Sequence, residues 1–155
     1  MKFIALTYCL LLLVGCSNFE RTEINNKEFN EVLESISKGW NEGNAELAAH
    51  HFADSAVYEE PPKKQFYKGK EQLFNFFGGI NGYDIPMKMK WHNLAFCEDT
   101  QVGFGEYTFA MNNQYHGIVV MQFKNRKIIK WREYQYQSNL DWKSFTGESE
   151  FSGIE

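Results

Sequence analysis

The chain has 155 residues, 43% hydrophobic and 17% aromatic, which is enough apolar mass for one domain with a real core. The formal net charge is -4 and no strongly basic run occurs. Nucleic acid is therefore excluded as an expected partner, because neutralising phosphates needs a clustered Lys/Arg surface. With 23% charged residues, global disorder is excluded too.

The segment "MKFIALTYCLLLLVGC" has one lysine, an apolar run to Val14, then Gly15 and Cys16. The run is too short to span a bilayer as a helix and reads as a secretory signal. "LVGC" resembles the lipobox of bacterial lipoproteins. That resemblance implies removal of residues 1–15, a diacylglyceryl thioether on Cys16, and residues 16–26 as lipidated cysteine and polar tether. The expected location is the cell envelope, lipid-anchored and facing the periplasm or the outside, with Ser17 permitting outer-membrane sorting in a Gram-negative host. Cys97 is the one cysteine left after Cys9 is removed and Cys16 lipidated, so no internal disulfide is expected. On an apolar strand it reads as a small buried hydrophobe, not a nucleophile.

Phe29, Val32, Leu33, Ile36 and Trp40 recur at helical spacing, and Asn25 with Glu28 offers a capping box. Gly39 and Gly43 close this helix. Asn44 caps a second, short helix running through Phe52. "SAVYEE" is a short strand of which one glutamate can face inward. "PPKKQFYKG" reads as a loop. "KEQLFNFF" is a third helix, with Leu73, Phe74 and Phe77 on one side. Four strands follow over 87–98, 101–111, 114–124 and 127–137, joined by turns at Asp99-Thr100, Asn112-Asn113 and Asn125-Arg126. In the tail, 140–155, Trp142 and Phe145 are candidates to dock. The order predicts an α+β fold, three helices on a curved antiparallel sheet. The strands are apolar on both faces, so a second copy is expected to cover the outer one, giving a homodimer through the sheet.

The stretches "WNEGNAELAAHHFADSAVYEEPP", "YKGKEQLFNFF" and "KIIKWREY" resemble the nuclear transport factor 2 superfamily, which includes SnoaL-like proteins and ketosteroid isomerases. The resemblance covers Lys27 to about Asn139. It implies a cone in which helices and a curved sheet enclose a pocket. That fold serves isomerases, cyclases, epoxide hydrolases, dehydratases and pure binders, so it does not by itself give a function. In the isomerase pattern the general base is the second acid of an acid-acid-Pro strand end. That position is Glu60, inward with Tyr58; burial there would raise its pKa toward useful proton abstraction. The oxyanion-hole Tyr and Asp of the same pattern fall on Ile36 and Val119, and a supporting Tyr near Phe77. None of these can donate a hydrogen bond, so ketosteroid isomerisation is not expected. The epoxide hydrolase pattern uses an acid–Arg–acid relay with one acid in a "WRDY"-like last strand. "WREY" puts Glu133 there. Glu106 is the other acid candidate, but Phe104 stands where the arginine belongs, and the face carrying Glu106 is open.

Glu60 and Glu133 are thus the candidate catalytic pair; the alternative is that both accept hydrogen bonds in a wet binding cavity. Trp40, Tyr58, Phe77, Trp91, Tyr115, Val119 and Trp131 are the expected ligand-binding lining, suited to a small apolar or aromatic molecule. No cofactor is expected. The four His and Cys97 lack metal-ligand spacing, so no metal is expected, and His116 is placed on the outer, dimer-facing side. Three functions remain: a small-molecule binder, an acid–base enzyme (isomerase, dehydratase or hydrolase), and a protein-interaction module of an envelope complex.

Overall fold

The capping box forms as the sequence implies. Asn25 accepts from the Glu28 backbone N–H at 2.9 Å, and the Glu28 carboxylate accepts from the Asn25 N–H at 2.9 Å. The computed structural model describes residues 21–85 and 87–146, so the lipobox and Cys16 lie outside the described residues. Helix α1 (Asn26–Asn41) buries Phe29, Val32, Leu33, Ile36 and Trp40 on one face. Just before it, Ile24 is buried and its backbone exchanges two hydrogen bonds with the Gln101 side chain, at 3.0 and 2.9 Å. The folded unit therefore starts ahead of residue 27.

Helix α2 (Ala45–Ala49) is shorter than expected. Phe52, read as its last residue, instead opens strand β1 (Phe52–Glu60). The reason is tertiary: Phe52 pairs with Ile128, and the Ile128 N–H donates to the His51 carbonyl at 2.9 Å. The two helices meet at Gly39, where an added Cβ would stand 2.5 Å from the Ala48 backbone nitrogen. Gly39→Ala is expected to lower the unfolding free energy by about 1–3 kcal/mol, since backbone cannot yield as a side chain does. Urea denaturation reads this as a lower midpoint at unchanged slope; an unmoved midpoint would contradict the contact.

The stretch read as a loop holds a 3-10 turn at Pro61–Lys63 and a short strand, β2 (Gln65–Lys68). Lys64, at φ 57, reverses the chain, so β2 pairs back on β1 with Glu60 opposite Gln65. Helix α3 (Lys70–Phe76) follows. Strands β3 (Lys88–Cys97), β4 (Val102–Ala110), β5 (Gln114–Lys124) and β6 (Lys127–Gln137) form the expected meander. The six-stranded sheet has the order β2-β1-β6-β5-β4-β3. Its pairs are antiparallel except β1 with β6, which run parallel. The fold is α+β, with the helices on the concave, core side.

Tail residues form helix α4 (Trp142–Thr146). The Trp142 ring stacks on His92, centroids 3.9 Å apart and 7° from parallel, and lies 6.1 Å from His116. His116 is on the outer face but only 5% exposed, with Nε2 2.7 Å from the Leu140 carbonyl oxygen. The chain's own tail thus covers the corner expected to face a second copy. The Phe145 side chain lies outside the described residues. Cys97 is corrected from buried to exposed: Phe96 turns inward to stack on Phe29 at 4.7 Å, which sends the next side chain outward.

His51 joins α2 to β1 beside His50, ring centroids 5.1 Å apart. Burial, then His50 and Lys127, pull its pKa down to about 4 from 6.5. The unfolded chain binds this proton first, so the contribution is intact above pH 6.5 and is lost as pH falls toward about 4. After discount for partial exposure the loss is about 1 kcal/mol. His51→Gln is expected to flatten this part of a stability–pH curve; an identical slope in the variant would contradict the assignment.

Candidate functional site

Alternation along β1 buries Ala56, Tyr58 and Glu60 on one face, while Asp54 and Ser55 are exposed and Glu59 is partly exposed. Glu59 pairs with Arg132 at 2.6 Å. Glu60 is 1% exposed and lies in the wall of a cavity of about 160 Å³. The wall also includes Trp40, Tyr58, Phe77, Tyr107, Lys63, Gln65, Glu133 and Gln135, together with Met87, Met89 and Met111.

Glu133 is 2% exposed and accepts four hydrogen bonds. On Oε1 the donors are the Tyr58 hydroxyl and Gln135 Nε2, the latter at 2.8 Å. On Oε2 they are the Tyr107 hydroxyl and Trp131 Nε1, both at 3.0 Å. A carboxylate offers about four lone-pair sites, so its acceptor capacity is filled by protein. Burial holds the Glu133 pKa above its ordinary value, and the nearby Glu60 adds to this against the opposing hydrogen bonds. Burial, then the Glu133 charge, pushes the Tyr58 and Tyr107 hydroxyls well up, so both remain donors.

The two glutamates are joined. Lys63 Nζ stands 2.9 Å from Glu60 Oε1 and donates to Gln135 Oε1 at 3.1 Å, while Gln135 Nε2 donates to Glu133. The Lys63–Glu60 contact is an ion pair without hydrogen-bond geometry, so Glu60 Oε1 accepts no hydrogen bond among the described residues. Trp40 Nε1 and Gln65 Oε1 are likewise buried without a hydrogen-bond partner among the described residues.

Of the expected lining, Trp40, Tyr58 and Phe77 are in the wall; Trp91, Tyr115, Val119 and Trp131 are not. Trp91 is turned to α1, its Nε1 donating to the Leu33 carbonyl at 2.9 Å. Tyr115 lies under Lys63, with Nζ 4.6 Å from its ring centroid. Val119 and Trp131 are fully buried in the core, Trp131 stacking behind Tyr58. Ile36 and Val119, the positions of the isomerase donors, are core residues. Glu106 is on the outer face, bonded to Asn93, and Phe104 beside it is 43% exposed.

Tyr107, Lys63, Gln65, Met87, Met89 and Met111 are among the wall residues that the sequence did not point to. One available signal was Gly117, opposite Tyr107 in the sheet. A Cβ there would stand 2.4 Å from Tyr107 Cζ, so glycine lets the ring lie over the neighbouring strand. A larger groove of about 610 Å³ runs between α1 and the β5–β6 turn, and its Arg21 and Arg126 pair with Glu28. Among the described residues no group of three or more His, Cys, Asp or Glu could hold a metal ion, and no helix is long and apolar enough to cross a membrane.

A half-open pocket between α1, α3 and the sheet, with inward acids on β1 and β6, defines a cone-fold protein. The model of the SnoaL-like domain matches residues 32–131, and the chain belongs to that family. Solved structures share the fold. An NTF-2 like protein of unknown function from Burkholderia xenovorans LB400 is 18% identical with a TM-score of 0.61, over 80% of this chain and 96% of that one. An LEH-like epoxide hydrolase of M. tuberculosis is 15% identical with a TM-score of 0.60, over 71% and 84%. SalBIII, an epoxide hydrolase/cyclase-like enzyme of pyran-ring formation in salinomycin, is 14% identical with a TM-score of 0.60, over 72% and 93%. At these identities the likeness shows the fold alone. No curated protein matches the chain.

Proposed function

We propose that this protein binds a compact, single-ring-sized apolar or aromatic molecule in the cavity beside Glu60. The observation that carries the reading is the cavity itself: aromatic and methionine walls, about 160 Å³, with one buried carboxylate that is ion-paired to Lys63 at 2.9 Å and accepts no hydrogen bond at that oxygen among the described residues. An apolar cavity of ~150 Å³ accepts benzene, whereas drug-sized ligands take ~300 Å³ or more. The size therefore supports a single ring and speaks against a steroid. An open interior also speaks against a pure interaction module. The test is thermal unfolding with a set of ring sizes. Single-ring aromatics are expected to raise Tm by mass action and four-ring compounds to leave it unchanged; no shift with any of them would remove the reading.

A second reading, an acid–base enzyme, is favoured by the Glu60–Lys63–Gln135–Glu133 chain. It links two acids as the relay of epoxide hydrolases does, with lysine and glutamine where that relay has arginine. Lysine lacks the bidentate fork of arginine, and Glu133 has its acceptor sites filled, so binding is the stronger reading. Turnover of any small epoxide or enolisable carbonyl that is lost in Glu60→Gln would reverse that order.

Envelope anchoring through Cys16 remains our proposal, supported by the lipobox resemblance and tested by fatty-acid labelling of wild type against Cys16→Ala. A homodimer through the outer sheet face is supported by exposed Phe104, Ile118 and Tyr134, and sedimentation tests it.

A further inference from the structure

We propose that the ligand carries a primary ammonium group seated between Glu60 and Gln65. This rests on the binding reading above and deepens it by naming the ligand's polar head. Three observations lead there. First, Glu60 and Gln65 face each other as a cross-strand pair of β1 and β2, which brings their side chains together at one end of the cavity. Both Glu60 Oε1 and Gln65 Oε1 are buried acceptors with no hydrogen bond among the described residues. Lys63 Nζ stands 2.9 Å from Glu60 Oε1 but outside hydrogen-bond geometry, so a ligand group with at least two N–H hydrogens would give both oxygens the aligned donors they lack.

Second, the charge of the wall is unbalanced. Glu60 and Glu133 are acidic and Lys63 is the basic residue among the described lining. Trp131 and Gln135 meet Glu133 with N–H groups that can only donate, one on each oxygen, which favours the ionised carboxylate. Gln135 is held from flipping because its own oxygen accepts from Lys63. With both carboxylates ionised the wall carries one net negative charge, which a cationic ligand neutralises and a neutral or anionic one does not.

Third, the rest of the wall suits a cation on an aromatic body. Tyr58, Phe76, Phe77, Tyr83, Tyr107 and Phe109 surround the space, and ring faces attract ammonium groups. A quaternary ammonium would satisfy these rings but would leave the two oxygens without donors. A primary amine satisfies both.

The probes are 2-phenylethylamine, its neutral counterpart 2-phenylethanol, and benzyltrimethylammonium, measured by calorimetric titration of the full chain in detergent at neutral pH. The amine is expected to bind about tenfold tighter than the alcohol, the size of one charge-assisted hydrogen bond, and tighter than the quaternary cation. Glu60→Gln is expected to weaken the amine about tenfold and the alcohol by a smaller factor, because only the amine loses a charge-assisted contact. Lys63→Met acts in the opposite direction and tightens the amine, because it removes the competing cation at Glu60. Gln65→Met, on an edge strand where packing is forgiving, weakens the amine more than the alcohol or the quaternary cation. Equal binding of amine and alcohol, or amine affinity indifferent to both Glu60→Gln and Lys63→Met, overturns the ammonium assignment while leaving the cavity as a binding site. Absence of binding by all three probes overturns the binding reading and this inference together.

Discussion

Glu133→Leu is expected to lower the unfolding free energy by about 2–5 kcal/mol, one of the two largest single-residue effects in the domain. Leucine fills much of the same volume, so the loss measures polar satisfaction and not a cavity. Four donors converge on Glu133, and two of them, Trp131 Nε1 and Gln135 Nε2, have no freedom to reverse roles. Each donor left buried without an acceptor costs about 1–3 kcal/mol, while the tyrosine hydroxyls can rotate to other partners. Glu133→Gln should cost less, about 1–2 kcal/mol, because the amide oxygen serves one fixed donor and the amide nitrogen confronts the other. The order wild type, Gln, Leu in a urea series checks this. Leu as stable as wild type would mean the network contributes nothing net, an outcome known for some buried charges.

The other large effect is expected at Trp131, fully buried and ringed by Trp40, Phe52, Tyr58 and Trp91 at centroid distances from 5.7 to 6.2 Å. Trp131→Ala is expected to cost about 3–5 kcal/mol through lost burial and the void behind Tyr58. Trp131→Phe keeps most of the ring contacts and loses the N–H to Glu133, so it should recover well over half of that loss. A double-mutant cycle of Trp131→Phe with Glu133→Leu separates the two roles. The indole N–H matters only while its acceptor exists, so the coupling should be about 1 kcal/mol or more. Strict additivity would show that the hydrogen bond carries no stability.

What the sequence made legible follows from period and turn chemistry. Helix α1 was readable because its apolar residues keep one face and Asn25 and Glu28 close the capping box. The meander was readable because three short polar pairs separate four long strands. Glu60 was assigned inward through the family resemblance, and strand alternation from Tyr58 agrees with the burial found. The misses share a cause, which is contact distant in sequence. Phe52 looks helical locally and becomes a strand by pairing with Ile128. β2 is four residues long, too short to show a period, and exists because β1 lies beside it. Tyr107 was hidden by the unknown register of β4, and Lys63 and Gln135 by roles that only their three-dimensional neighbours define. Tyr115, Trp91 and Trp131 have the right chemistry for a lining, but rotation and depth place them under or behind the wall.

Binding beside Glu60 requires an accessible hollow there, and methionine methyl NMR reads that hollow directly. Met87, Met89 and Met111 line it, whereas Met121 is fully buried in the core apart from it. Titrating the full chain with toluene and with 2-phenylethylamine is predicted to shift the first three methyl resonances and leave Met121 nearly still. Shifts spread evenly over all four, or none at millimolar ligand, would contradict a binding cavity at this site.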